Sequence, residues 1–198
     1  MNRELNKEYW NNRYIQQQTG WDIGSVAPPL KEYIDQLIDK NSSILIPGCG
    51  NAYEAAYLLQ QGFKNVTLVD IAPAATAAVE DKLSTYINNG LQIITGDFFD
   101  LKTTYDLILE QTFFCALDPT LRSVYVEKMV SLLNPGGKLV GLLFNRHFEG
   151  GPPFGGSKLE YQELFTPQFN IQMMDAAYNS IAPRAGTELF VKMTKKRS

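Results

Sequence analysis

Cysteine is scarce in this chain, with Cys49 and Cys115 the only two among 198 residues. Two cysteines make no disulfide framework, and their separation is not that of a metal-binding pair. Histidine is scarcer still, since His147 stands alone. A basic excess is also lacking: 18 Lys+Arg against 21 Asp+Glu leave a net charge of −3 and a pI near 5.2, which excludes the electrostatic footprint of a nucleic-acid binder. Long hydrophobic runs are missing, and residues 139–144, apolar throughout apart from one glycine, fall far short of a bilayer span. Residues 1–10 are polar, which excludes a secretory apolar segment there, and the basic end at 195–198 reads as a solvated terminus. Repeats, low-complexity tracts and interdomain linkers are absent too. What remains, at 44% hydrophobic and 20% charged, is expected to be one reduced, cytoplasmic domain with a substantial core.

Residues 43–60, SILIPGCGNAYEAAYLLQ, organise the rest. Ile44, Leu45 and Ile46 form an apolar run too short for a helix, and Pro47, Gly48 and Gly50 stop it as a buried strand entering a tight turn. Asn51 is expected to cap a following helix whose apolar side carries Ala55, Ala56, Leu58 and Leu59. Such a strand–glycine–helix turn lets a ligand approach the backbone and the unpaired N–H groups of a helix start. A dinucleotide site wants a third glycine three residues after Gly50, and Tyr53 stands there. The remaining G-x-G suits a cofactor without a pyrophosphate.

The chain on either side reads as alternating helices and strands. Residues 6–17 form an amphipathic helix that brings Trp10 and Tyr14 onto one face. A helix from Pro28 or Pro29 to about 39 turns Leu30, Ile34, Leu37 and Ile38 inward. Strands follow at 65–70, 91–95, 105–110 and 138–144, with helices at 73–87 and 119–133, the latter presenting Leu121, Val124, Tyr125 and Leu132. A glycine- and proline-rich segment, 145–158, is long enough to be functional. A short helix at 159–165 and strands at 169–178 and 187–194 close the chain. The fold class is therefore α/β: a mostly parallel sheet with helices on both faces and an antiparallel C-terminal hairpin. The first and fourth strands are expected to be neighbours.

Ligands in such sheets lie beyond the carboxyl ends of the strands. Gly48 and Gly50 end the first, Asp70 the second, Asp97-Phe98 the third, and Glu110-Gln111 the fourth. Asp70 can accept both hydroxyls of a ribose, Asp97 an adenine amine, and Phe98 can cover the ring. Acids at successive strand ends favour an adenosine site.

P-G-C-G, L-V-D-I, G-D-F-F and L-L-N-P-G-G at these places resemble a class I methyltransferase that uses S-adenosylmethionine. T-G-W-D-I-G near the start, F-F-C-A-L-D-P, G-G-P-P-F and R-x-G-x-E are similar to the thiopurine and thiol/halide methyltransferase family over nearly the whole chain. The resemblance implies methyl transfer to a small thiol or to a halide- or thiocyanate-like anion. It also implies that Trp10, Tyr14 and Trp21 cover the cofactor and that Gly48 approaches its methionine portion. Asp70 would hold the ribose, Asp97 and Phe98 the adenine, and Gln111 the far wall, with residues 1–24 as a lid. Ring faces attract a sulfonium cation, a physical reason for aromatics there.

A catalytic residue is not fixed by these motifs. His147, Glu149, Tyr161 and Arg184 are candidates to take a thiol's proton or attract an anion, and Phe154 is expected to help close the pocket. A nicotinamide-dependent oxidoreductase shares the glycine turn and Asp70, and a non-catalytic cofactor-binding module is the other alternative. No metal is implied, and the expected partner is a small-molecule acceptor rather than nucleic acid or membrane.

Overall fold

The computed structural model describes residues 5–196. Its strands are β1 (Ile44–Pro47), β2 (Val66–Asp70), β3 (Leu91–Thr95), β4 (Tyr105–Gln111), β5 (Leu133–Phe144), β6 (Phe169–Ala176) and β7 (Glu188–Lys195). They form one sheet in the order β3-β2-β1-β4-β5-β7-β6. Strands β1 to β5 run parallel, and β7 is antiparallel to both β5 and β6. The closing hairpin thus inserts its second strand into the sheet and leaves β6 at the edge.

Period-two alternation divides the core between the two faces. Ile44, Ile46, Val66, Leu68, Leu107, Leu109, Val140 and Leu142 point to one side. There they meet helices α2 (Pro28–Asp35), α3 (Tyr53–Gln60) and α4 (Pro73–Lys82). Leu45, Val69, Ile108, Leu139 and Leu143 point to the other, against α5 (Arg122–Ser131) and α6 (Lys158–Phe165). This second layer is aromatic. Phe114, Tyr125, Tyr161, Phe165 and Phe169 are all almost fully buried there. No helix of the described residues is long and apolar enough to cross a membrane.

Several boundaries differ from expectation for local reasons. Helix α2 ends at Asp35, so Ile38 lies beyond it and is exposed. Helix α4 stops at Lys82 and gives way to a 3-10 turn at Ser84–Tyr86. Pro119 opens a 3-10 turn rather than the helix, which starts only at Arg122. That phase change buries Tyr125, Val126 and Met129 while Leu121 and Val124 face outward. Asn134 to Gly137 form an irregular section inside β5 instead of a turn before it.

Asn51 is not the cap of α3. Ala52 holds that position at φ +54°, and the Asn51 amide instead donates to Asp22. Tyr53, which occupies the third-glycine position, donates its hydroxyl to the same carboxylate at 3.3 Å. Tyr53, which breaks the dinucleotide pattern, and Asn51 therefore dock the N-terminal loop onto the glycine turn.

Candidate active site

Neighbouring strands β1 and β4 leave the sheet in opposite directions of connection, and a crevice opens at their carboxyl ends. It holds a cavity of about 580 Å³. The first wall comes from the ends of β1 to β3: Gly48, Asp70, Gly96, Asp97 and Phe98. Gly48 is required by space as well as by its φ of +59°, because a Cβ there would come within 2.5 Å of the Phe113 ring. Asp70 is buried and accepts N–H groups from Gly50 at 3.1 Å and Ala72 at 2.9 Å. Burial raises its carboxyl above the usual range, and these bonds oppose that shift. Asp97, exposed, accepts the Phe99 N–H at 2.9 Å. Phe98 packs edge-on against Phe99 and Phe113.

The second wall is the N-terminal segment. Helix α1 (Lys7–Ile15) has no buried residue of its own. Asn11 fixes it to the first turn of α4 by accepting the Ala74 N–H at 2.8 Å. Trp21 sits between Trp10 and Tyr14, with ring centroids 5.7 and 5.8 Å away. All three line the cavity, as do Tyr9 and Arg13. Residues 1–4 of the expected lid lie outside the described residues.

The third wall comes from the other half of the sheet, at the end of β5 and just before β7. It consists of Phe144, Arg146, Phe148, Pro152, Pro153, Arg184 and Thr187, with Cys115 and Leu117 from the segment after β4. The long 145–158 segment is fixed in place. Phe154 donates its N–H to the Cys115 carbonyl at 2.6 Å, Arg122 donates to the Gly155 carbonyl at 2.7 Å, and Gly156 donates to the Arg146 carbonyl at 3.1 Å. Pro152 and Pro153, rather than the expected Phe154, line the cavity.

The candidate residues separate accordingly. Trp10, Tyr14, Trp21, Gly48, Asp70, Asp97, Phe98 and Arg184 come together around one cavity. Gln111 does not line it; it faces a smaller pocket of about 50 Å³ behind the glycine turn, with Asp22, Cys49 and Leu109. Thr112, at φ +59°, turns the chain there and brings Phe113 into the main cavity instead. His147 and Glu149 are exposed and outside the lining. Tyr161 is buried and donates its hydroxyl to the Phe144 carbonyl at 2.7 Å, which makes it a support for the wall.

Sequence reading missed Phe113, Phe144, Phe148 and Arg146. Applying the strand-end rule to β5 would have found Phe144, but nothing local marks the others. Cys115 lines the cavity, and burial first, then the nearby Glu110 carboxyl, pushes its thiol well up. It is therefore a neutral thiol and not a competing nucleophile.

The cavity's lining fits an adenosine cofactor with a sulfonium: an accepting carboxylate at the end of β2, a second acid and ring beyond the end of β3, and three aromatics among the other lining residues. A "Probable thiol methyltransferase 2" of Arabidopsis thaliana is 31% identical over 90% of this chain and 81% of its own length. "Thiocyanate methyltransferase 1" from the same plant is 26% identical over the same shares. Among solved structures, a Burkholderia thailandensis 1,6-didemethyltoxoflavin-N1-methyltransferase with bound S-adenosylhomocysteine superposes with a TM-score of 0.76 at 18% identity, covering 96% of this chain and 87% of that one. It shares the fold. The family model "Thiopurine S-methyltransferase (TPMT)" matches residues 5–196, and on that match the chain belongs to the thiopurine S-methyltransferase family of S-adenosylmethionine-dependent methyltransferases.

Proposed function

We propose that this chain methylates the sulfur of a small thiol, with soft anions of the iodide or thiocyanate kind as a second acceptor class. The observation that carries the reading is the separation of charge across the cavity. The carboxylates among its lining residues, Asp70 and Asp97, belong to the strand-end wall, and the wall opposite holds Arg146 and Arg184 among Phe144, Phe148 and two prolines. An anionic, polarisable nucleophile is attracted to that opposite wall and loses water against it. An amine acceptor would gain nothing there. The names of the relatives, one a thiol and one a thiocyanate methyltransferase, support the same classes.

S-adenosylmethionine supplies an electrophilic methyl group on a sulfonium. Under this reading Asp70 accepts the ribose hydroxyls, Asp97 takes the adenine amine and Phe98 covers the adenine. Trp10, Tyr14 and Trp21 cover the charged sulfur, Gly48 approaches the methionine portion, and Gln111 contacts its far end through the smaller pocket. Residues 1–24 act as the lid of a single domain. The thiol loses its proton to solvent, and alignment with the methyl group does the rest. Positioning of that kind supplies roughly 7–11 kcal/mol. Of the four catalytic candidates, Arg184 is the one in the cavity; its charge is shared with buried Glu188, so attraction of the anion falls mainly to Arg146. Two free, buried cysteines support a reducing, cytoplasmic setting.

The test is incubation with methyl-labelled cofactor and a panel of thiols, iodide, thiocyanate, a catechol and an amine. Label is expected on sulfur first. Label passing to oxygen or nitrogen but not to sulfur or halide would overturn the proposal.

A further inference from the structure

Three arginines line the cavity, and their partners differ. Arg184 is neutralised by buried Glu188 at 3.2 Å and donates its other terminal nitrogen to the Trp21 carbonyl at 2.6 Å. Arg13, on the lid helix, donates to the Tyr9 hydroxyl at 2.8 Å. Arg146 forms no ion pair and no side-chain hydrogen bond among the described residues. Its guanidinium lies 4.6 Å over the Phe148 ring. Stacking on a ring orients the guanidinium plane and leaves its N–H donors open.

The backbone beneath it is fixed. Arg146 ends the β5 exit by pairing with Gly156, whose N–H it accepts. A Cβ on Gly155 would fall 1.8 Å from the same carbonyl, so the chain crosses there only because that residue is glycine. Asn145, one residue earlier, accepts the Lys158 N–H at 3.0 Å. An arginine held at its root, stacked on a ring and left without a counter-ion stands on the rim of the acceptor wall. The lining carboxylates already accept backbone N–H groups on the opposite side. A negative group entering the cavity would therefore meet in Arg146 a guanidinium with no competing protein partner among the described residues.

Building on the thiol reading above, we infer that Arg146 selects the acceptor: it receives a carboxylate that the thiol substrate carries at a distance from its sulfur. Arginine's planar fork matches a carboxylate in two parallel hydrogen bonds. The exposed position suits a group that remains partly hydrated while the apolar body of the substrate lies against Phe144 and Phe148. Arg146 is then a specificity determinant and acts on binding, not on the transfer step.

The experiment compares 4-mercaptobenzoate with 4-mercaptobenzamide, which match in shape and differ in charge. In the parent protein the carboxylate is expected to be favoured tenfold or more in kcat/KM, with the difference in KM. Arg146→Gln should bring the ratio close to one, Arg146→Lys should keep part of it, and Arg146→Glu should invert it. Thermal melting of each variant checks that this exposed position leaves the fold intact. A ratio near one in the parent, or an unaltered ratio in Arg146→Gln, would overturn the inference while leaving thiol methylation standing. Failure of the parent to methylate either thiol would remove both.

Discussion

The wall at the strand ends and the wall opposite it are built by different physics. Gly48 follows β1 directly, Asp70 is the last residue of β2, and Asp97 and Phe98 come two and three residues after β3, so the hydrogen-bonded sheet itself sets their spacing. The opposite wall has little of that frame: Phe144 closes β5 in register with Glu188 of β7, but the rest lies beyond the sheet. Phe144, Arg146, Phe148, Pro152 and Pro153 are held by cross-loop bonds to Cys115, Arg122, Tyr161 and Gly156. A cofactor site resting on a sheet tolerates change in loops, whereas an acceptor site resting on loop-to-loop bonds can be re-cut by one substitution. The comparison teaches where specificity is free to move.

The largest effect should come from breaking the opposite wall, built on the 145–158 segment, alone. Gly155→Ala sets a methyl group against the Arg146 carbonyl at 1.8 Å, a contact only backbone movement relieves. The variant is expected to lose about 100-fold or more in kcat/KM, close to 3 kcal/mol of transition-state stabilisation. Titration with S-adenosylmethionine should show affinity within about threefold of the parent. Equal losses in both measurements would mean that the walls are not separable.

Next comes the join between them. Glu110, fully buried at the end of β4, accepts the Phe113 and Phe114 N–H groups at 2.9 and 2.8 Å through one oxygen. Its other oxygen has no partner. Burial pushes this carboxyl up to about 7 from 4.5, against the pull of those two bonds, and Glu188 adds to the rise. Below pH 4.5 the group is neutral folded or unfolded. Between there and 7 the unfolded chain releases the proton and the native one keeps it, so stability falls as pH rises. The loss is on the order of 3 kcal/mol. Urea denaturation at several pH values should show Glu110→Gln with a flatter profile across that window. Parallel profiles in parent and variant across that window would contradict the assignment.

Which wall was legible in the sequence follows from the same contrast. Short buried strands and the acids that end them carry local signals, so the sheet, its closing hairpin and the positions of Gly48, Asp70, Asp97 and Phe98 could be read directly. Trp10, Tyr14 and Trp21 could not be read as site residues from periodicity, because α1 buries nothing; the family motifs supplied them. The opposite wall was mostly illegible. Gln111 was chosen because it ends a strand, yet the positive φ of Thr112 sends the chain elsewhere. His147 was singled out by residue type, while its neighbour Arg146 is the one in the cavity. Loop residues are placed by partners remote in sequence, and no spacing rule sees those.

Asp70→Ala should break the first wall alone. Loss of the charged acceptor is expected to weaken S-adenosylmethionine binding by about 1–3 kcal/mol, read by calorimetric titration. The acceptor KM at saturating cofactor should move less than about twofold. Binding as tight as the parent's would remove Asp70 from the cofactor site.

The smallest effect tests a side chain that touches both regions. Arg184 donates to the Trp21 carbonyl in the N-terminal loop, pairs with Glu188 at the start of β7, and lies 5.5 Å over the Phe144 ring. Arg184→Lys keeps the charge beside Glu188 but cannot hold a carbonyl and a carboxylate with one planar fork. The lost bond is worth about 1 kcal/mol, or roughly fivefold in an equilibrium constant. Because the Trp21 loop belongs to the cofactor side and Phe144 to the acceptor side, both constants should weaken together by about that factor. Calorimetry gives the first and initial rates at saturating cofactor the second. A shift in the acceptor KM with cofactor affinity untouched would place Arg184 in the opposite wall alone. The N-terminal loop would then be held by its Asp22 contacts to Asn51 and Tyr53, with no help from the acceptor side.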